Sequence, residues 1–105
     1  MTGSEAIRQQ FEFLEKQSGV SVIAKEYPGY AANGDVMYKF PNGSFIRIWN
    51  DRSDVYVECN QFKGRSIDLD KLCKSPARCF SEYLGLLHTH WNNTIAPWLG
   101  VEVLK

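Results

Sequence analysis

Residues 35–59 hold three runs of alternating apolar and polar side chains, split only by short clusters of turn formers. The runs are Asp35–Phe40, Ser44–Trp49 and Asp54–Cys59. Pro41-Asn42-Gly43 divides the first two, and Asn50-Asp51-Arg52-Ser53 divides the last two. Connections this short join antiparallel neighbours, because a parallel crossover needs about a dozen residues or more. A fourth run, Val20–Glu26, comes before them, across Pro28-Gly29-Tyr30 and Asn33-Gly34. The pattern predicts a four-stranded antiparallel meander.

Alternation sorts the side chains by face. Val36, Tyr38 and Phe40 share one face, as do Ile46 and Ile48, and Val55, Val57 and Cys59. These are the expected core positions. The opposite face carries Met37, Lys39, Phe45, Arg47, Trp49, Tyr56 and Glu58. The first run leaves its face open: Val20, Val22 and Ala24 compete with Ser21, Ile23, Lys25 and Tyr27.

The flanking segments read as helices. Ile7, Phe11 and Leu14 form one stripe of a helix over residues 4–17, with Gly19 as its stop. Phe13 lies off that stripe and either widens it or touches a second surface. Thr2 and Glu5 have capping-box spacing, and Ser4 is a second candidate cap. Residues 60–66 read as a polar connector, and Asp68 as the cap of a short helix through Lys74 that buries Leu69, Leu72 and Cys73. Ser75-Pro76 reads as the start of a last helix over 76–95, with Phe80, Leu84, Leu87, Trp91 and Ile95 on one stripe. Pro97 is expected to end or kink it, leaving Val101–Leu104 as a tail or a short extra strand. Both helical stripes need a surface to bury against. The expected fold is therefore α+β: a two-layer sandwich, with the N-terminal and C-terminal helices on one face of the sheet.

The 105 residues suit a single domain. Twelve basic residues balance twelve acidic ones, so bulk charge gives no basis for nucleic-acid binding. No apolar run approaches the roughly 18 residues that span a membrane. The charged first 18 residues do not read as a secretory signal, so the expectation is a cytoplasmic protein. Cys59, Cys73 and Cys79 are an odd number with spacings foreign to zinc sites. They read as reduced thiols, with a Cys73–Cys79 bridge reserved for an oxidising compartment.

No catalytic constellation appears. His88 and His90 are two apart and diverge on a helix, whereas a helical metal pair uses i, i+4. Asp51, Asp54, Asp68 and Asp70 suit turns and caps. No phosphate-binding or nucleophile-elbow motif is present. The expectation is no enzyme, no cofactor and no metal; a small hydrolase using Cys79 or His88 is the least favoured reading. Asn92-Asn93-Thr94 matches a glycosylation acceptor but falls within the last helix.

The second sheet face is the informative surface. Met, Arg and aromatic residues are enriched at protein interfaces, and Trp, Tyr and Arg dominate hot spots. Either this face binds a partner, or it is covered by Tyr27–Asn33 or by the C-terminal tail.

The hairpin Val36-Met37-Tyr38-Lys39-Phe40-Pro41-Asn42-Gly43-Ser44-Phe45-Ile46-Arg47-Ile48-Trp49 and the aromatic final helix around Trp91 and Trp98 add a resemblance. In overall layout the chain resembles small immunity proteins of bacterial polymorphic toxin systems, especially contact-dependent growth inhibition. The resemblance implies a cytoplasmic protein that binds one cognate toxin domain, such as a nuclease, and blocks it stoichiometrically. Immunity proteins against basic nucleases are often acidic, whereas this chain is neutral, so an acidic patch would be local. Asp51, Asp54 and Glu58, with Asp35, are its candidates. The expected partner-binding residues are Lys39, Phe45, Arg47, Trp49, Asp51, Asp54, Tyr56 and Glu58, on a chain that is monomeric or weakly dimeric when free. The alternative is a non-catalytic adaptor or a module that self-associates through the aromatic face.

Overall fold

The computed structural model describes residues 2–26 and 33–102. The helical elements are α1 (Gly3–Gln10), α2 (Glu12–Glu15), α3 (Leu69–Leu72), α4 (Phe80–His90) and α5 (Ala96–Leu99). The strands are β1 (Ser21–Glu26), β2 (Gly34–Lys39), β3 (Phe45–Asp51), β4 (Asp54–Asn60) and β5 (Ser66–Asp68). All five lie in one antiparallel sheet in chain order. The expected meander is present, but the sheet has five strands rather than four. The fifth comes from the segment read as a polar connector. The Gln61 amide bonds the Arg65 carbonyl at 2.9 Å, closing a hairpin that sets Ile67 opposite Cys59.

One core joins the layers. Val36, Tyr38, Phe40, Ile46, Ile48, Val57 and Cys59 from the sheet are buried with Ile7, Phe11, Leu14, Leu87, Trp91 and Ile95 from the helices. Val55 is only half-buried. In β1 the ambiguity resolves: Val22 packs against the core, while Ile23 stays 55% exposed on the other face.

The Thr2 hydroxyl accepts the Glu5 amide at 3.2 Å and caps α1. Ser4 has a different task from the one expected. Its hydroxyl donates to the Lys25 carbonyl at 2.7 Å and accepts the Asp35 amide at 3.3 Å, so it bridges opposite residues of β1 and β2. Gly34 permits this approach: a Cβ there would press into the Ser4 amide and lie 2.5 Å from the Gly3 carbonyl carbon. The expected single helix over 4–17 divides at Phe11 (φ −104°, ψ 30°). The Leu14 amide bonds the Phe11 carbonyl in a tightened turn. Past the break, Phe13 meets the edge of Trp91 at 5.4 Å and His88 at 4.5 Å.

The last helix starts at Phe80 rather than Pro76. The Ser75 amide bonds the Asp70 carbonyl and so belongs to the turn after α3. Asp68 sits at the N-cap of α3 without a capping side-chain bond. The Glu82 carboxylate reaches back to the Arg78 amide at 3.2 Å. Pro97 does not end the helix. A π-helical turn, Trp91–Ile95, precedes it, and Pro97 falls in the first turn of α5, where its missing N–H is tolerated. Gly100 (φ +75°) then stops the helix in a left-handed cap. The orphan carbonyls at this end are met from the sheet turns. The Asn42 side-chain amide donates to the Leu99 and Gly100 carbonyls, and the Gln61 side-chain amide donates to the Trp98 carbonyl.

Candidate functional site

The face of the sheet away from this core has its side chains laid out by register. Along one row, Lys25, Asp35, Trp49 and Tyr56 stand side by side across β1 to β4. Along the next are Ile23, Met37, Arg47, Glu58 and Asp68. A third holds Ser21, Lys39, Phe45, Asn60 and Ser66. The diagonal between the first two rows supplies the site's organising contact. Arg47 donates from Nε to Asp35 Oδ1 at 2.9 Å and from its terminal nitrogen to Oδ2, a bidentate pair.

That pair places the guanidinium carbon 4.2 Å from the centroid of the Trp49 ring. Trp49 in turn stacks on Tyr56, with centroids 5.0 Å apart and planes 17° from parallel. Carboxylate, guanidinium, indole and phenol form a chain of contacts across three strands. Each member restricts the next, so little side-chain freedom is left in the chain. Tyr56 ends the chain with 40% of its surface exposed.

Asp35 is therefore not part of an open acidic patch. It is 8% exposed and committed to Arg47. The other acidic candidates occur as like-charged neighbours: Asp51 lies opposite Asp54, and Glu58 opposite Asp68. Directly opposed like charges oppose sheet pairing and favour a cation between them. Lys71 reaches Asp68 at 3.5 Å, while Asp51 and Asp54 flank an exposed turn in which Arg52 has φ +59°.

The expected binding residues do not make one cluster. Arg47, Trp49 and Tyr56 touch, with Asp51 and Asp54 beyond them at the hairpin end. Lys39 and Phe45 pair at the opposite end, four residues along β3 from Trp49, or about 13 Å. Ile23, beside Met37, extends the surface; alternation alone does not place it, because either face of β1 reads as apolar. Phe62, 60% exposed, lies against Gly43 at the turn end with Lys63 over its ring at 5.3 Å; a polar-looking connector hid it.

A possible cover from Tyr27–Asn33 falls mostly outside the described residues. The tail as far as Glu102 runs elsewhere: Val101 and Glu102 line a groove of about 740 Å³ with Phe13, Phe40, Pro41 and Trp91. The thiols and imidazoles are dispersed. Cys79 is exposed at the start of α4, with Ser81 Oγ at 3.2 Å, whereas His88 lies nine residues further on, roughly 13 Å along the helix. Burial pushes the Cys59 thiol well above its ordinary range and raises Cys73 to about 11. Among the described residues, no group of three His, Cys, Asp or Glu side chains is arranged to hold a metal. No helix among them is long and apolar enough to cross a membrane.

Comparison with known proteins finds no matching family model, no matching curated protein and no matching solved structure.

Proposed function

We propose that this chain is a stoichiometric binding protein that captures a partner protein on the face carrying Trp49 and Tyr56, and that the partner is a bacterial toxin domain. The observation that carries the reading is the Asp35–Arg47–Trp49–Tyr56 chain, a braced aromatic pair in which Trp49 is half-buried and Tyr56 exposed. Interface hot spots have this composition. Trp49 and Tyr56 are the anchors, and Arg47 braces them while its outer edge remains half-exposed. Asp51, Asp54 and Glu58 take basic groups of the toxin, and Lys39 and Phe45 contact its far edge. An interface of ordinary size needs about 800 Å² from this side, which the face and its turns can supply.

On this reading the protein acts in the bacterial cytoplasm, by occluding the toxin's active site or an adjacent surface, without turnover. The resemblance of the hairpin and final helix to immunity proteins supports the choice of partner. The test is growth protection. Cells producing the toxin domain that this chain is proposed to neutralise should survive with the wild-type chain and die with Trp49→Ala. Survival with the variant, or the lack of any protected toxin, overturns the proposal.

A further inference from the structure

The two edges of the sheet are built differently. β5 is three residues long and turns at once into α3. A short edge strand offers little to another chain. β1 has six residues, no proline and no bulge in its register, and its only side-chain charges are at one end, Lys25 and Glu26. Its side chains are mostly exposed, Ile23 most clearly at 55%.

The direction of the β1 backbone follows from two bonds. The Gly34 amide donates to Asn50 Oδ1 on the β3 side, so the next residue, Asp35, faces β1. The Asp35 amide and the Lys25 carbonyl meet on the Ser4 hydroxyl, so Lys25 faces β2. Ladder alternation then turns Ser21 and Ile23 toward β2 as well. Val22, Ala24 and Glu26 turn outward, and their backbone amides and carbonyls have no partner among the described residues.

We infer that this edge takes a second copy of the same chain, β1 pairing antiparallel with β1 about a two-fold axis perpendicular to the sheet. That axis keeps the Trp49 faces of both copies on the same side, so residues of equal parity must pair. The register with Ile23 opposite its own counterpart is favoured for two reasons. It sets Val22 opposite Ala24, so the outward backbone groups pair with each other. It places Lys25 opposite Ser21 and Glu26 opposite Val20, so no like charges face one another, whereas a register centred on Lys25 would oppose two lysines. Ile23 then falls at a non-hydrogen-bonded position, where side chains approach most closely. The two Ile23 residues join the Met37 residues behind them in one apolar row across the junction. The association is independent of toxin capture, because the edge lies outside the Arg47–Trp49–Tyr56 contacts.

The test is sedimentation velocity of the full chain from micromolar to near-millimolar concentration, with amide exchange followed by NMR. The wild type should form a dimer, and the Val22, Ala24 and Glu26 amides should gain protection as it forms. Ile23 and Lys25, already bonded to β2, should be protected throughout. Ile23→Lys, at an exposed position, should weaken the dimer by more than about tenfold with an unchanged circular dichroism spectrum. Ala24→Pro should do the same by removing an outward donor. A strict monomer at all concentrations overturns the inference. So does a dimer that survives Ile23→Lys, or protection of Val22 and Ala24 that appears only when a different protein is added.

Discussion

Arg47 lies over the ring of Trp49 because Asp35, one strand away and on the diagonal, holds its guanidinium through both carboxylate oxygens. The posture of the aromatic pair thus depends on a carboxylate that is itself buried. Asp35→Asn keeps the size of the side chain but removes its charge and one of the two acceptors. The expected cost is about 1 kcal/mol of stability, since Arg47 remains partly in water. The larger effect should be on order: Trp49 fluorescence anisotropy should fall. An unchanged anisotropy would show that Trp49 is held without Arg47.

Tyr38 is fully buried, and its hydroxyl has no hydrogen-bond partner among the described residues. An unpaired buried hydroxyl is costly. Tyr38→Phe should raise stability by about 1 kcal/mol in urea unfolding. A loss of that size would mean that the hydroxyl has a partner, such as an internal water.

Gly34 is where α1 meets the sheet. Gly34→Ala forces backbone against backbone at Gly3 and Ser4, which no side-chain rotation relieves. The expected loss is roughly 2–4 kcal/mol, with the Ser4 bridge between β1 and β2 broken. A variant as stable as the wild type would contradict this packing.

Stability should fall in alkali. Burial, followed by the nearby Asp70, lifts the Cys73 thiol from its ordinary 9.0 to about 11, and burial also raises Tyr83. Above pH 9 the unfolded chain releases the thiol proton while the folded chain keeps it. The contribution is whole below pH 9 and is lost as pH rises through about 11. The urea midpoint should decline across that window, and Cys73→Ala should flatten the decline. A midpoint that rises from pH 9 to 11 would contradict the burial of this thiol.

Much of the fold is legible in the sequence because its cues are local. Pro41-Asn42-Gly43 fixes a hairpin, and alternation along Val36–Phe40 and Ile46–Ile48 separates core from surface without knowledge of the partner strands. The missed features depend on distant residues. Ser66–Asp68 is too short to show alternation, and it becomes a strand only because Asn60–Glu58 lies alongside. Phe11 interrupts its helix while packing edge-on against Phe80, 69 positions away at 5.7 Å. Pro97 reads as a helix breaker, but the π-helical turn before it admits the ring. The site divides in the same way. Trp49, Arg47 and Tyr56 are visible as an unusual composition for a sheet face, whereas the diagonal from Asp35 to Arg47 exists only once β2 and β3 are in register.

On the proposed function, the braced aromatic pair carries partner binding. Its most direct test is calorimetric titration of the purified toxin domain with the wild-type chain and with Trp49→Ala, after matching thermal melts. The wild type should bind one-to-one, and the variant should lose more than about 2 kcal/mol with an unchanged fold. Equal affinity of the two chains would contradict it.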